Sequence, residues 1–198
     1  IKEESLILAD KLNCSPYEAL INKFEPQSKI KDIKNIFNNL ENFLIPLIDI
    51  IIEKQSKDKL LSISNLMTQE QQKEVGLFLM QKIGFDFNRG RLDTSQHPFC
   101  GGAYQDIRIT TRYNETDPFS SLEGIMHETG HAMYELNLPS EWKYQPAGQS
   151  RGMAMHESQS LLIEMQITRS KAFKKFLSGI LKNNFKFTDD CWNTENIY

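Results

Sequence analysis

The five residues from His127 to His131, which read His-Glu-Thr-Gly-His, constrain this chain more than any other stretch. Two histidines spaced four residues apart lie about 40° from one another around an α-helix, so both imidazoles project from one face. Two ring nitrogens can then bind one metal ion, while the carboxylate of Glu128 is placed to reach a water at that ion. The pattern therefore predicts a zinc site on a helix.

The residues around this motif have the pattern of an amphipathic helix. Ser120 and Glu123, which follow Asp117-Pro118, form a predicted capping box at its start. Two interpretations of His127 and His131 are open at this point: they bind a metal, or they are two surface residues on the polar side of the helix. The residues predicted to face inward are Leu122, Ile125, Met126, Thr129, Met133 and Leu136.

A catalytic zinc site needs a third protein ligand and an open fourth position. A second helix is predicted from about Gly152 to Gln166, and Glu157 lies on its apolar stripe. A carboxylate directed at a core is costly unless a cation pairs with it, so Glu157 is a candidate ligand. Glu164, seven residues further on, lies on nearly the same face, and the spacing does not choose between them. The apolar residues of this stripe are Met153, Leu161, Leu162 and Met165.

Three other side chains near the motif are weaker candidates for the metal. Glu123 and Glu135 flank the histidines on their own helix, where we expect them to be solvated or to support the ligands from outside. His156 points about a quarter-turn away from Glu157, which makes it a less favourable ligand.

The residues before the motif predict helices followed by a short strand. Ser15-Pro16-Tyr17-Glu18 is typical of a helix start, and Thr68 with Gln71 forms a predicted capping box for a helix towards Ile83. Apolar residues recur at three- and four-residue spacing from Ile30 to Ile52, which predicts a helix with one face packed inward. Residues 85–102 have the composition of loops, whereas residues 106–110 alternate polar and apolar side chains like a half-buried strand.

Composition excludes several classes of function. A net charge of −3 without a basic stretch gives no electrostatic basis for binding nucleic acid. The longest apolar run, from Phe43 to Ile52, contains Pro46 and Asp49 and is too short to cross a bilayer. The 3 cysteines are scattered and odd in number, which favours a reducing compartment, and we expect the protein to be cytoplasmic.

Four ordered motifs make the chain similar to a known family. They are His97-Pro98-Phe99, Asp106-x-Arg108-x-Thr110, the histidine motif at 127–131, and His156-Glu157-Ser158-Gln159. Their order and approximate spacing resemble those of the M32 metallocarboxypeptidases, the thermostable carboxypeptidase (carboxypeptidase Taq) family.

This resemblance implies a zinc exopeptidase that removes residues from peptide C-termini. The implied fold is mainly α, with a small β-sheet edge beside a deep active-site groove. His127, His131 and Glu157 carry over as metal ligands, so the resemblance selects Glu157 over Glu164, and Glu128 carries over as general base. Cobalt or manganese can substitute for zinc at such a site. His97, Asp106 and Arg108 carry over as substrate-groove residues; the alternative is that Asp106 and Arg108 pair with each other and brace the site.

The resemblance also implies that residues 1–198 form a single segment, the central part of a larger catalytic domain. It divides into a helical scaffold (1–83), the groove and zinc motifs (84–166) and a helical continuation (167–198). We expect the groups that stabilise the oxyanion and bind the substrate carboxylate to lie outside this segment, and we expect a homodimer as one arrangement of the full-length enzyme. Two alternatives stay open: a fragment that binds metal or peptide without turnover, and a peptidase with a different cleavage position.

Overall fold

The computed structural model describes residues 1–63 and 66–198, and it is mainly helical. The chain forms two compact units: residues 1–59 with 151–154, and residues 60–150 with 155–198. The predicted division at residues 83 and 166 follows sequence motifs instead of packing, and it stays a prediction.

The first unit contains three helices whose ends follow from local side-chain chemistry. They are α1 (Lys2–Leu12), α2 (Pro16–Phe24) and α3 (Ile30–Gln55). Asn13 ends α1 in the left-handed conformation at φ 50°. The helix start predicted at Ser15 is confirmed as the start of α2, and Ser15 and Glu18 form a capping box there because each side chain binds the other residue's backbone N–H.

The helical prediction for α3 is confirmed, but the prediction that one face packs inward is wrong. None of its residues is buried, and the exposed fractions of Ile36, Phe37 and Phe43 are 57%, 64% and 65%. Three-and-four spacing identifies an apolar stripe and does not tell whether anything covers it. Within the described ranges, no helix has the length and apolar character needed to cross a membrane.

The second unit contains a three-stranded sheet. Its strands are β1 (Gly90–Thr94), β2 (Phe99–Ala103) and β3 (Asp106–Thr111), with β3 in the centre, parallel to β1 and antiparallel to β2. The strand predicted at 106–110 is confirmed as β3. The prediction of loops over residues 85–102 is confirmed for residues 85–89 and 95–98 and wrong for the others, which form β1 and most of β2.

Two glycines explain why a strand region has the composition of a loop. A Cβ at Gly90 would lie 2.1 Å from the backbone oxygen of Ile107, and a Cβ at Gly102 would lie 2.1 Å from that of Asp106. Only glycine permits such a close approach of two backbones. Glycine therefore marks tight strand pairing at these positions.

Residues 60–198 also contain the helices that form the candidate site. The helix α4 (Gln69–Ile83) begins at the predicted capping box of Thr68 and Gln71 and is followed by Gly84, whose φ is 101°. The helix predicted to carry Glu157 begins at Gly152 as expected but becomes π-helical from Leu162. The elements are α4 (Gln69–Ile83), α5 (Pro118–Leu136), α6 (Gly152–Leu161), a π-helical segment (Leu162–Thr168), α7 (Lys171–Phe185) and α8 (Thr194–Ile197).

The start of α5 differs from the prediction. Asp117, and not Ser120, is the N-cap: its carboxylate accepts a hydrogen bond from the Ser120 N–H at 3.2 Å. Pro118 takes the first helical position, where a backbone N–H would have no partner within the helix and where proline, which has none, is favoured. The predicted inward stripe is confirmed for five of its six residues, because Met133 is only half-buried.

Two apolar clusters fix the rotation of α5 about its axis. Leu122 and Met126 pack with residues of α4 and α7, whereas Ile125 and Ala132 pack with Ile109 of β3 and its neighbours. Burying each large apolar side chain contributes roughly 1.5–3 kcal/mol, so a rotated helix would lose several such terms. The third side of α5 carries the two histidines.

Candidate metal centre

The three residues predicted to bind a metal lie together, on α5 and α6. Nε2 of His131 is 3.3 Å from Oε2 of Glu157, and Nε2 of His127 is 3.9 Å from Oε1 of the same carboxylate. One ligand atom from each residue lies within 4.8 Å of the other two. His127, His131 and Glu157 thus converge on one point.

This donor set fits a divalent metal. Ligand atoms about 2.0–2.2 Å from a tetrahedral zinc are roughly 3.3–3.5 Å from one another, close to the separations of the Glu157 oxygens from the two rings. The histidine side chains are 21% and 14% exposed, whereas that of Glu157 is 47% exposed. The cluster therefore opens on its carboxylate side, where a fourth position would be accessible. Two imidazoles and one carboxylate are a set that zinc accepts.

Both histidines are held through their other ring nitrogen. Nδ1 of His127 is 2.8 Å from Oε2 of Glu164, and Nδ1 of His131 is 3.1 Å from the backbone oxygen of His156. A proton on each Nδ1 leaves the lone pair of each Nε2 directed at Glu157. The geometry thus puts Glu157 in the position that both Nε2 atoms share and puts Glu164 behind His127.

His156 lies behind His131 and outside the cluster. Its Nδ1 is 2.6 Å from Nδ1 of His131, and its Nε2 is 2.7 Å from Oε1 of Glu135. The single Nδ1 proton of His131 is shared between the backbone oxygen and Nδ1 of His156, and the Nε2 proton of His156 is donated to Glu135. This arrangement gives Glu135 the supporting position that was one of its two expected roles.

The packing face predicted for the helix of Glu157 is wrong. Its four apolar residues are between 38% and 58% exposed, and Glu157 is itself exposed, not directed at a core. The side of α6 that meets α5 carries the small residue Ser160, which is fully buried. The two helices pack through small residues, and an apolar stripe does not reveal such a contact. The four exposed residues are Met153, Leu161, Leu162 and Met165.

Gly130 sets the distance between α5 and α6. A Cβ at this position would lie 2.6 Å from Cα of Ser160 and 2.7 Å from the backbone oxygen of Gln159. The missing side chain lets the helices approach until Glu157 reaches His131. This role of Gly130 was not among the predictions from the sequence, although a glycine inside a helix costs about 1 kcal/mol relative to alanine and so indicates a packing reason.

We expect Gly130→Ala to destabilise the protein by about 1–3 kcal/mol and to weaken metal binding, because the added methyl group must push α6 away. Gly124→Ala on the same helix is the matched control: its Cβ would meet only Cγ of Pro98, at 3.8 Å. That change should be neutral or stabilise by roughly 0.5–1 kcal/mol. Urea unfolding and zinc titration measure both effects, and equal results for the two variants would contradict this role.

Glu128 is a buried carboxylate beside the cluster, with an exposed fraction of 7%. Burial raises its pKa above the ordinary value, and the charge of Glu157 adds to this, while positive charge on His127 and His156 opposes it. A raised pKa brings a carboxylate closer to the range of an efficient general base at neutral pH. Burial also lowers the pKa of His131, with help from the other two imidazoles, and this favours the neutral ring that a metal ligand requires.

A cavity of about 380 Å³ lies beside the metal cluster and is lined in part by Glu135 and His156. Burial raises the pKa of Cys100, on its β2 wall, to about 12, with contributions from the charges of Glu128 and Glu135. The thiol is therefore protonated and uncharged at neutral pH. Side chains and backbone lining the cavity include Gly101, Gly102, Tyr104, Glu135, Lys143 and His156.

Of the predicted substrate-groove residues, Asp106 and Arg108 lie on strand β3 and His97 lies between β1 and β2. Nη2 of Arg108 is 2.8 Å from Oδ2 of Asp106, so these side chains pair with each other, and both are about half exposed. Because Ile107 and Ile109 face the core, Asp106 and Arg108 project from the opposite side of β3. The ring of His97 is exposed, and its backbone oxygen accepts a hydrogen bond from Thr110 at 3.1 Å. Contact of these residues with substrate stays a prediction.

A helix with a His-Glu-x-x-His motif and a glutamate supplied by a second helix is an arrangement that zinc peptidases use. All 198 residues match the family model for carboxypeptidase Taq (M32) metallopeptidases. The chain therefore belongs to the M32 metallopeptidase family. The predicted resemblance is confirmed, as is the predicted fold class of a mainly helical chain with a small sheet.

Three relatives illustrate the extent of the match. Carboxypeptidase 1 of Bacillus subtilis is 38% identical over 159 residues, which are 80% of this chain and 32% of the relative. Thermostable carboxypeptidase 1 of Pyrococcus furiosus is 35% identical over 187 residues, 92% of this chain and 37% of the relative. The solved structure of Trypanosoma cruzi metallocarboxypeptidase 1 superimposes with a TM-score of 0.92 at 39% identity, covering 99% of this chain and 41% of that one. The chain thus spans about a third of the length of these curated relatives.

Proposed function

We propose that this chain carries the metal centre of a zinc-dependent carboxypeptidase, which hydrolyses residues from the C-termini of peptides. The observation that carries this proposal is the convergence of the two Nε2 atoms of His127 and His131 on the carboxylate of Glu157, with each ring anchored through Nδ1. Membership of the M32 family and the names of the relatives, which are carboxypeptidases, support the type of cleavage. Zinc suits this donor set, and cobalt or manganese can replace it.

The chemistry follows from the position of each side chain. When bound, zinc lowers the pKa of a water molecule and polarises the substrate carbonyl. His127, His131 and Glu157 would hold the ion. Glu128 would accept a proton from the attacking water at a carboxylate oxygen and pass it to the departing amine. Burial raises the pKa of Glu128, and a general base at neutral pH requires a carboxylate with a raised pKa.

Substrate and cellular context are further parts of the proposal. The 380 Å³ cavity beside Glu135 and His156 is large enough for one end of a peptide, and Lys143 adds a positive charge to its wall. The free thiols of Cys14, Cys100 and Cys191 support a reducing compartment, for which we propose the cytoplasm. The homodimer of the full-length enzyme stays a prediction.

The second candidate is a chain that binds metal without turnover. It is favoured by the fact that these residues span about a third of the relatives' length. Hydrolysis also requires donors that stabilise the oxyanion and a cation that holds the substrate carboxylate. Activity of the purified protein on any peptide would exclude this candidate.

Peptides with free and amidated C-termini test the type of cleavage. We expect the free acid to be hydrolysed on the order of 10²-fold faster than the amide, because each hydrogen bond to a charged carboxylate contributes about 1.5–3 kcal/mol. An acetylated N-terminus is the control and should leave the rate unchanged. Equal rates on acid and amide would rule out carboxylate recognition and favour a peptidase with a different cleavage position.

A further inference from the structure

We propose that Glu164, held by Arg169, is a positioning residue that fixes the ring of His127 so that its Nε2 faces the metal. This inference rests on the proposed metal site at His127, His131 and Glu157. It assigns a role to Glu164 and Arg169, which lie on the side of His127 away from Glu157.

Each oxygen of Glu164 has its own partner. Oε2 is 2.8 Å from Nδ1 of His127, and Oε1 is 2.5 Å from Nη2 of Arg169. The Glu164 side chain is only 16% exposed, so it has little freedom to turn away. An ionised carboxylate can only accept hydrogen bonds, so it requires the proton of His127 on Nδ1. The lone pair is then on Nε2, where a metal would need it.

The contacts continue beyond Arg169 and return to α5. Nη2 of Arg169 is also 3.2 Å from Oε2 of Glu123, and Oε1 of Glu123 is 3.0 Å from Nζ of Lys174. The Lys174 side chain is 6% exposed and Glu123 precedes His127 by one helical turn. Two carboxylates and two cations alternate, so each of these four charges has a partner of opposite sign. The chain of contacts joins α5, the π-helical segment and α7.

The π-helical segment places Arg169 beside Glu164. The Arg169 N–H donates to the backbone oxygen of Glu164 at 3.2 Å, a bond between residues five apart. In a regular α-helix this bond joins residues four apart, and the side chains that stack lie three or four apart. The wider turn brings a guanidinium five residues later onto the same carboxylate. Such segments occur frequently at functional sites, because they keep a side chain at a position that a regular helix cannot supply.

Zinc affinity and the absorption spectrum of the Co²⁺-loaded protein test this role. Glu164→Gln keeps an oxygen that accepts from Nδ1 but removes the charge, and Glu164→Leu removes both. We expect zinc to bind about 10-fold more weakly in the first and about 100-fold more weakly in the second, with a changed Co²⁺ spectrum. Glu195→Gln is the matched control, since it breaks only an exposed ion pair, with Lys171 at 2.8 Å, and should change neither reading.

The same experiment separates this inference from the proposed metal site. A wild-type protein that binds no zinc would contradict the proposed function itself. Wild-type binding with unchanged affinity and an unchanged Co²⁺ spectrum in both Glu164 variants would overturn the positioning role alone. Thermal unfolding of the metal-free variants reports whether they fold, and if Glu164→Leu does not, the near-isosteric Glu164→Gln decides.

Discussion

Replacing Glu128 by Gln should slow peptide hydrolysis by about 10²–10⁴-fold while the protein keeps its zinc. Glutamine has nearly the same shape but cannot accept the proton of the attacking water. Because burial raises the pKa of Glu128, the ionised carboxylate is less favourable in the folded protein than in water. The neutral amide avoids this penalty, so the free energy of unfolding should stay the same or increase. A loss of rate through misfolding is thereby distinguishable from a loss of the base.

The measurement is kcat/KM on a peptide with a free C-terminus, together with zinc content and a urea unfolding curve. Glu195→Gln supplies the control for removing one carboxylate, because its ion pair with Lys171 is exposed. An active Glu128→Gln variant would show that another group accepts the proton. A wild-type protein that binds zinc and hydrolyses nothing would favour the second candidate, a chain that binds metal without turnover.

The first part of the site was predictable from the sequence because it is local. Once residues 127–131 are helical, the periodicity of the backbone places His127 and His131 on one face and Glu128 beside them. The choice of Glu157 over Glu164 is not local. It depends on how closely α6 approaches α5 at Gly130 and on the width of the π-helical turn, and neither follows from spacing.

The same distinction separates correct from wrong predictions of the fold. Helix starts at Ser15 and Thr68 were predictable, since each capping box consists of bonds between residues three apart. The strands β1 and β2 were not predictable in this way. Gly90 and Gly102 are required by the close approach of the β3 backbone at Ile107 and Asp106, and that approach is known only once the strands are paired. The predictions of a buried apolar face on α3 and on α6 were wrong for a related reason. Periodicity describes one helix, whereas burial depends on the neighbours of that helix.

Replacing His131 by Ala should reduce the zinc content from about one ion per chain to nearly none after dialysis. The ring supplies one of three ligands, and its Nε2 lies 3.3 Å from Glu157, closer than the 3.9 Å between Nε2 of His127 and the same carboxylate. Two remaining ligands do not form the three-residue set of a catalytic zinc site. Zinc that binds only the folded protein raises stability by about 2.7 kcal/mol at a concentration 100 times its dissociation constant. Added zinc should therefore raise the unfolding temperature of the wild type and leave that of His131→Ala unchanged.

His97→Ala is the matched control, because it removes an exposed imidazole that precedes β2 and belongs to no contact in the metal cluster. This variant should keep its zinc and its zinc-dependent gain in stability. A His131→Ala protein that keeps a full complement of zinc would show that the ion binds elsewhere in the chain. Loss of zinc from both variants would mean that His97 also contributes to the site, and the three-residue cluster would then be incomplete as a description of it.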